Sequence, residues 1–378
     1  MYQSIDSSPL KFEDILSLFS KAGISVVESR FYGVFAELVL QSPIPPSTFE
    51  ELYARLLNEH RVLMVQIRGV RPIVRLVLLR ETVHPIARYK WILNVTTVIT
   101  IYFTGYGLAQ SFYGLLGVKA LDQLILTSLV YTIGFLVALL LHELGHLYIS
   151  RKHGIVSEGP ILIPAPPIQL NFIGTLGAII LTKTPPASKR ALAKLGMMGP
   201  LMGFLAATVL GLCGLYLSPV ITREQALKAI EAGEAIPIWF GSVIFNVLLS
   251  VRQVEGVLLF HPLLFASYVI YYVTFLNLLP IGQLDGGHVV RSVLSDSSYR
   301  VLSLMTPVAF IAVGVLFELI YGFGAIYLSI GIIALILYLI IGRRGHPGVA
   351  NQYDQSRCTW CIILYVVLLT LTFPAPFA

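Results

Sequence analysis

Charged residues are scarce in this sequence. Only 12% of the 378 residues are Asp, Glu, Lys or Arg, whereas 56% are hydrophobic. Soluble domains carry about 25% charged residues, so this composition excludes an ordinary soluble protein. The mean hydropathy of +0.80 leads to the same conclusion. We therefore expect an integral membrane protein.

Cysteine is scarce as well, with three residues in the chain. Cys213 lies in an apolar stretch and is expected to be a small core residue. Cys358 and Cys361 form a C-x-x-C pattern, which is compatible with a disulfide, a redox pair or half of a metal site. No second C-x-x-C accompanies it, which disfavours a catalytic role but leaves these alternatives open.

Two further patterns are missing. The N-terminus has no positive start followed by an apolar stretch, so we expect no cleaved signal peptide and a cytoplasmic N-terminus. No RNA- or DNA-binding motif accompanies the net charge of +6. Excess basic residues in a polytopic membrane protein belong in cytoplasmic loops, so we expect no nucleic-acid partner.

Residues 1–88 are richer in charge and predict a small α+β domain outside the membrane. PLKFEDILSLFSKAG places Phe12, Ile15, Leu16 and Phe19 on one face of an amphipathic helix. ISVVESRF and GVFAELVL then predict two strands. The same helix–strand–strand order recurs in PPSTFEELYARLLNEHR, VLMVQIRGV and RPIVRLVLLR, which is a faint internal repeat.

Residues 89–378 form the predicted membrane domain, with core motifs in residues 121–300. A helix needs about 20 apolar residues to cross a bilayer. Seven stretches approach that length: 91–115, 121–149, 195–217, 262–283, 301–321, 323–342 and 360–377. Pro374 and Pro376 shorten the last one. Basic residues fall in alternate loops on the side of the N-terminal domain, which the positive-inside rule assigns to the cytoplasm.

The segment 159–182 is apolar but holds four prolines and three glycines. A lipid-exposed helix could not tolerate them, whereas irregular chain at membrane depth is allowed where it is buried in protein. We predict a re-entrant hairpin, with an apolar cytoplasmic loop as the alternative. The predicted fold is thus mainly α: a polytopic membrane helical bundle of about six or seven spans, with a re-entrant strand-like segment and a small N-terminal α+β soluble domain.

The motif HELGH lies within one apolar stretch, at His142 to His146. On a helix, these two histidines share a face, so both imidazoles can reach one zinc ion. Glu143 is placed to take a proton from a water molecule at the metal. Ionisable residues are costly inside a membrane span and mark functional sites. The alternative is a His–Glu cluster that holds helices together, and it would not require this spacing.

Catalytic zinc usually has three protein ligands and a water molecule. Asp285 is the best candidate for the third ligand, because it falls at the same predicted membrane depth as the end of the histidine helix. Gly286 and Gly287 beside it allow close backbone approach. Glu318 is the competitor. Four other histidines are expected to be surface or interfacial residues: His153, His261, His288 and His346. Of these, His288 lies close to Asp285 in the sequence.

HELGH, together with NLLPIGQLDGG from Asn277 to Gly287, resembles the site-2 protease family of intramembrane zinc metalloproteases. The resemblance includes GTLGAII and PPASKRALAKLGMMGPLMGF. It implies His142, His146 and Asp285 as ligands of one Zn²⁺ per chain and Glu143 as the general base. It also implies that Asn277 contacts substrate or the oxyanion, for which an amide donor is suited. The alternative role of Asn277 is to cap backbone broken by Pro280.

The resemblance further implies hydrolysis of peptide bonds in or near transmembrane segments of membrane proteins. The strand-like segment could pair with an extended substrate, with Asn171, Gly174 and Gly177 as candidate substrate-binding residues. The expected partners are transmembrane protein substrates and the lipid bilayer, and a homodimer is left open. The expected location is the cell membrane, with the N-terminus and active site toward the cytoplasm.

The chain departs from many bacterial relatives because nothing in residues 150–277 resembles a PDZ domain, and it resembles the branch with an N-terminal cytoplasmic domain. Three glycines at close spacing predict tight helix packing, with a gate as the alternative: Gly196, Gly199 and Gly203. The alternative function is a membrane metal-ion transporter or a zinc-binding membrane protein without proteolytic activity. Transporters tend to show two similar halves, which this sequence lacks, and transport does not require Glu143 beside His142.

Overall fold

In the computed structural model, the described residues are 12–33, 35–79, 84–252 and 255–377. The first eleven residues, to which the prediction of a cytoplasmic N-terminus applies, lie outside these ranges. Val34 and Arg80, within two of the predicted strand segments, also lie outside them.

The N-terminal part contains two helices and four strands: α1 (Phe12–Lys21), β1 (Val26–Phe31), β2 (Phe35–Leu40), α2 (Pro46–His60), β3 (Val62–Ile67) and β4 (Ile73–Leu78). This is the predicted helix–strand–strand order, occurring twice. The strands form one antiparallel sheet in the order β1-β2-β4-β3. Burial alternates along β2 and β3, as expected for a sheet with one covered face, and both helices contribute to the core on that face.

The core of the N-terminal part is completed by residues from elsewhere in the chain. Ala187 and Ala350 are buried in the same cluster as Phe49. The hydroxyl of Tyr53 donates to the carbonyl of Pro185 at 2.5 Å. Burial raises the pKa of Tyr53 to about 12, so this donor keeps its proton at neutral pH. The N-terminal part is therefore docked on loops of the membrane part.

The rest of the chain is mainly helical. Its elements, in chain order, are α3 (Lys90–Leu115), α4 (Leu121–Lys152), β5 (Ser157–Pro164), β6 (Thr175–Thr182), α5 (Lys189–Leu217), β7 (Val220–Ile221), α6 (Arg223–Glu231), β8 (Phe240–Ser242), α7 (Val243–Ser250), β9 (Val257–Leu258), α8 (Pro262–Asn277), α9 (Asp285–Val293), α10 (Asp296–Tyr321), α11 (Ala325–Leu337), α12 (Thr359–Thr372) and β10 (Pro374–Pro376). A 3₁₀ turn precedes α3, and a π turn extends α11 to Gly342.

Five of these helices are long and apolar enough to cross a membrane: α3, α4, α5, α10 and α11 with their adjoining turns. The predicted membrane bundle is thereby confirmed. Two predicted spans, 262–283 and 360–377, are shorter helices than expected. α8 has 16 residues and ends before a turn at Gly282, whose φ is +53°. α12 has 14 residues and ends before Pro374, because proline cannot continue the hydrogen-bond ladder.

The strand-like segment forms an antiparallel hairpin of β5 and β6 that packs on α3. Polar side chains of α3 satisfy its backbone. Asn94 Oδ1 accepts from the amide of Leu162 at 2.9 Å, and the hydroxyl of Thr100 donates to the carbonyl of Gly174 at 2.6 Å. Non-helical chain at membrane depth therefore lies against protein on one side, as its composition predicts.

Candidate metal centre

The two histidines of HELGH lie on one face of α4. His142 is 8% exposed, and the rings of His142 and His146 have centroids 4.9 Å apart. At 1.5 Å per residue, His146 lies about 9 Å from the last residue of the helix. The next strand and the loop at Pro185 lead from that end to the N-terminal part. The site is therefore near the membrane face on which the N-terminal part is docked.

Glycines on α5 make room for both imidazoles. A side-chain carbon at Gly199 would overlap the ring of His146, and one at Gly203 would lie 3.0 Å from Nδ1 of His142. Gly145 on α4 faces the backbone of Met198 at similarly close range. α4 and α5 thus pack closely enough for the histidine rings to fill the space over the α5 backbone, as the glycine spacing predicts.

Asp285 is the first residue of α9 and is 9% exposed. The chain reaches this position through a tight turn after α8. The hydroxyl of Tyr299 donates to the carbonyl of Gly282 at 2.6 Å, and the hydroxyl of Tyr365 donates to that of Leu278 at 3.0 Å. A side chain at Gly286 would overlap the Leu278 carbonyl. Glycine next to Asp285 is therefore a condition for bringing the carboxylate to this place.

Three potential metal-binding side chains converge between α4 and α9. Nε2 of His142 is 3.2 Å from one carboxylate oxygen of Asp285, Nε2 of His146 is 3.2 Å from the other, and the two Nε2 atoms are 3.1 Å apart. A tetrahedral zinc ion with bonds of about 2.0–2.2 Å separates its ligand atoms by about 3.3–3.6 Å. The donor set and its spacing therefore fit Zn²⁺, and they form the one group of three or more potential ligands among the described residues.

The orientation of His146 is fixed by a backbone contact. Its Nδ1 lies 2.8 Å from the carbonyl oxygen of Leu195 on α5. A carbonyl only accepts, so Nδ1 carries the proton and Nε2 keeps its lone pair for a metal. Such outer partners set the tautomer of metal-binding histidines. No sequence pattern marked Leu195, because any residue at that position offers the same carbonyl.

Glu143 is 5% exposed and follows His142 directly. Among the described residues, none forms a hydrogen bond or ion pair with its carboxylate. Together with Asp285 it places two acidic groups beside two imidazoles, which favours a divalent cation between them. An unpaired buried carboxylate next to a metal-binding group is suited to take a proton from water.

The other predicted site residues lie at two places. Asn277 ends α8 and is partly buried, and its role stays a prediction. Asn171 and Gly177 belong to the hairpin, where both have positive φ and the position beside Gly177 is open. Gly174 is buried against Thr100 and leaves no room for a side chain. Its geometry explains the glycine by packing on α3.

The competing residues are placed elsewhere. The Glu318 carboxylate accepts from the backbone amide of Ala325 at 3.0 Å, in the turn between α10 and α11. It caps α11 and does not belong to the donor group. Cys358 and Cys361 are bonded as a disulfide at the start of α12, which is one of the alternatives left open by the sequence. Cys213 is exposed, so the expectation of a core residue is wrong.

Sequence reasoning missed a second histidine pair. His288 and His346, which were expected at the surface or interface, are in contact, with Nδ1 of His288 2.7 Å from Nε2 of His346. His346 is 5% exposed. The two residues are far apart in sequence and share no motif, so only the nearness of His288 to Asp285 in the chain hinted at a role.

Comparison with known proteins identifies the family. The sequence model of peptidase family M50 matches residues 130–321, about half of the chain. This range includes both histidines of α4 and Asp285. The chain therefore belongs to peptidase family M50, the family of the site-2 proteases.

Relatives carry consistent names. The probable zinc metalloprotease EGY2, chloroplastic, of Arabidopsis thaliana is 28% identical over 53% of this chain and 39% of its own length. The probable zinc metalloprotease EGY1, chloroplastic, of Oryza sativa subsp. japonica is 25% identical over 65% of this chain and 40% of its own. Zinc metalloprotease MJ0392 of Methanocaldococcus jannaschii is 30% identical over 25% of this chain and 24% of its own. No solved structure matches the chain.

The chain covers about two fifths of the length of the first two of these relatives. Their names support zinc as the metal, in agreement with the donor group of two histidines and one aspartate. The alternative of a metal-ion transporter is not favoured, since the names describe proteases.

Proposed function

We propose that this protein is an intramembrane zinc metalloprotease that hydrolyses peptide bonds in or near transmembrane segments of membrane proteins. The observation that carries the proposal is the convergence of His142, His146 and Asp285 around one point, with the unpaired carboxylate of Glu143 beside it. The two histidines and Glu143 lie within α4, a helix long and apolar enough to cross the membrane.

Each residue has a distinct task in this proposal. His142, His146 and Asp285 would hold Zn²⁺, and the ion would supply Lewis acidity toward a substrate carbonyl and a water molecule. Glu143 accepts a proton from that water and donates it to the leaving amine. Asn277 donates a hydrogen bond to the substrate or to the developing oxyanion. The tight packing of α4 on α5 keeps bulk lipid away from the imidazoles.

The test is Glu143→Gln in the full-length protein. We expect it to retain about one zinc per chain and to lose at least 100-fold in cleavage of a transmembrane substrate, because general-base catalysis contributes about 10²–10⁴-fold. Glu318→Gln is the matched control, since it removes a carboxylate from another apolar helix, α10, without touching the donor group. Normal cleavage by Glu143→Gln refutes the protease assignment.

We also propose that an extended substrate pairs with β6. β6 contacts α4, the helix that carries the histidines, whereas β5 contacts α3 chiefly. Gly177 has a φ of +102° and open space beside it. Gly177→Ala would strain the strand without filling a contact, so we expect a raised KM and unchanged zinc content. An unchanged KM removes the support for pairing at β6.

We further propose a cell-membrane location with the N-terminal part and the site end of α4 toward the cytoplasm. The support is the basic residues at that end of the helices, among them Arg151, Lys152 and Lys189. Single cysteines at Lys183 and Lys119, in a background in which Cys213, Cys358 and Cys361 are all replaced by Ser, test it with a membrane-impermeant maleimide. Labelling of the Lys183→Cys protein in intact cells contradicts the orientation.

A further inference from the structure

The second histidine pair connects the metal centre to a loop. His288 lies on α9, three residues after Asp285, and contacts His346. His346 follows the π turn after α11 and belongs to residues 345–357, which we call the coupling loop. The contact therefore ties the helix of the third ligand to a segment nearly 60 residues further along the chain.

The hydrogen bonds define the direction of this contact. The backbone amide of Gly348 donates to Nδ1 of His346 at 2.9 Å, so Nδ1 carries no proton. Burial lowers the pKa of His346, which keeps its ring neutral at neutral pH. Its proton is then on Nε2, which donates to Nδ1 of His288. His346 is thus held at both ring nitrogens.

α9 leaves little room for independent movement of its residues. A side-chain carbon at Gly196 on α5 would overlap the carbonyl oxygen of Asp285 and lie 2.8 Å from Cβ of His288. The same short stretch of α5 therefore packs against both residues. A shift of His288 would be transmitted to Asp285 through the single helical turn that joins them.

The coupling loop is itself anchored twice. Ala350 and Gln352 pair with Gln66 on β3, the edge strand of the N-terminal sheet. The Gln66 amide donates to the Ala350 carbonyl at 2.8 Å, and the Gln352 amide donates to the Gln66 carbonyl at 3.0 Å. Asp354 accepts from the amide of Lys189 at 2.7 Å, at the start of α5. The loop thus joins β3 of the N-terminal part to two helices that line the metal centre.

We propose that His346 is a positioning residue for the metal centre: its hydrogen bond to His288 holds α9, and with it Asp285, at the distance that zinc binding requires. The docked N-terminal part is the fixed support of this contact, through the pairing of Gln66 with the coupling loop. The proposal rests on the proposed function for the role of the metal, but it concerns metal affinity and can be tested without any cleavage assay.

Two substitutions at His346 separate its two hydrogen bonds. His346→Gln places an amide nitrogen near the position of Nε2 and can still donate to His288. His346→Asn places an amide oxygen near the position of Nδ1 and can still accept from Gly348. Zinc affinity of the full-length protein in detergent is measured by competition with a chromophoric chelator, and folding is followed by thermal unfolding of the same samples.

We expect His346→Gln to bind zinc as the parent does and His346→Asn to bind it about tenfold more weakly, the lower end of the effect of losing an outer partner of a metal ligand. Excess zinc restores the kcat of His346→Asn with an unchanged KM. Equal affinities of His346→Asn and the parent overturn the proposal. Equal losses in both variants overturn it as well, because they indicate a role in loop structure only.

The N-terminal anchor is tested at Gln66. Gln66→Pro removes the amide that donates to Ala350, while leaving the ladder with β4, whose hydrogen bonds come from neighbouring residues. Gln66→Ala is the matched control, because it keeps this amide and removes a buried side-chain amide that has no hydrogen-bond partner. We expect weaker zinc binding in Gln66→Pro and parental binding in Gln66→Ala. Equal zinc affinity of both variants refutes the supporting role of the N-terminal part.

Failure of this proposal is distinguishable from failure of the proposed function. Glu143→Gln reports on proteolysis and is not expected to change zinc affinity. His346→Asn reports on zinc affinity whether or not a substrate is cleaved. A protein that binds zinc but does not cleave would leave the His346 result unaffected.

Discussion

Two histidine pairs of this protein have the same separation and different surroundings. The ring centroids are 4.9 Å apart both in His142–His146 and in His288–His346. In the first pair, both Nε2 atoms face the carboxylate of Asp285. In the second, one ring nitrogen donates to the other ring and another accepts from a backbone amide. Proximity of two imidazoles alone does not make a metal site. A metal site also requires ring nitrogens that accept no hydrogen bond from a protein group and that face a carboxylate.

The largest expected effect separates the two pairs directly. His146→Ala removes a proposed metal ligand, so we expect a loss of zinc affinity well beyond the 10- to 100-fold produced by losing an outer partner. His288→Ala removes only a supporting contact and should still bind about one zinc per chain when zinc is in excess. Elemental analysis after dialysis measures both. Equal loss of zinc in the two variants would place His288 among the ligands.

Gly199→Ala tests whether α5 holds the first histidine pair in place. The added carbon would overlap the His146 ring, and overpacking of this kind costs about 1–3 kcal/mol. We expect lower thermal stability and weaker zinc binding. Gly114→Ala on α3, where no atom lies within 4 Å, is the control and should be neutral or slightly stabilising. Unchanged zinc binding in Gly199→Ala would show that the histidine ring can move aside.

The smallest expected effect comes from the turn before Asp285. Tyr299→Phe leaves the carbonyl of Gly282 without its hydrogen bond, which costs about 1 kcal/mol. We expect a slightly lower unfolding temperature and a small loss of zinc affinity. Tyr321→Phe, at the exposed end of α10, should change neither. If both variants unfold alike, the Tyr299 hydroxyl does not support the turn.

Much of the fold could be predicted because it follows from periodicity. The N-terminal elements alternate in burial as their sequences do, and the HELGH spacing places two imidazoles on one helical face. The end of α8 at Asn277 was not predicted, because the apolar stretch continues to residue 283. The break depends on backbone conformation at Gly282 and on hydroxyl groups from two other helices. A hydropathy pattern carries neither kind of information.

The site was predicted in part for the same reason. Asp285 could be predicted as the partner of the two histidines, because it is a charged residue in apolar surroundings at the same predicted membrane depth. Leu195 and His346 could not, since one acts through a carbonyl and the other through a contact across nearly 60 residues. The docking of the N-terminal part through Gln66 also uses backbone atoms, which no side-chain pattern identifies.

The length of α12 has a consequence for the surrounding lipid. Its 14 residues rise by about 21 Å, and Ile363 and Val366 on its outer face are more than half exposed. A typical hydrocarbon core is about 30 Å thick. Where α12 spans the bilayer, acyl chains beside it must compress, at a cost of fractions of a kcal/mol per Å of mismatch. A span of this length favours thin bilayers, which reconstitution in lipids of graded acyl-chain length would measure.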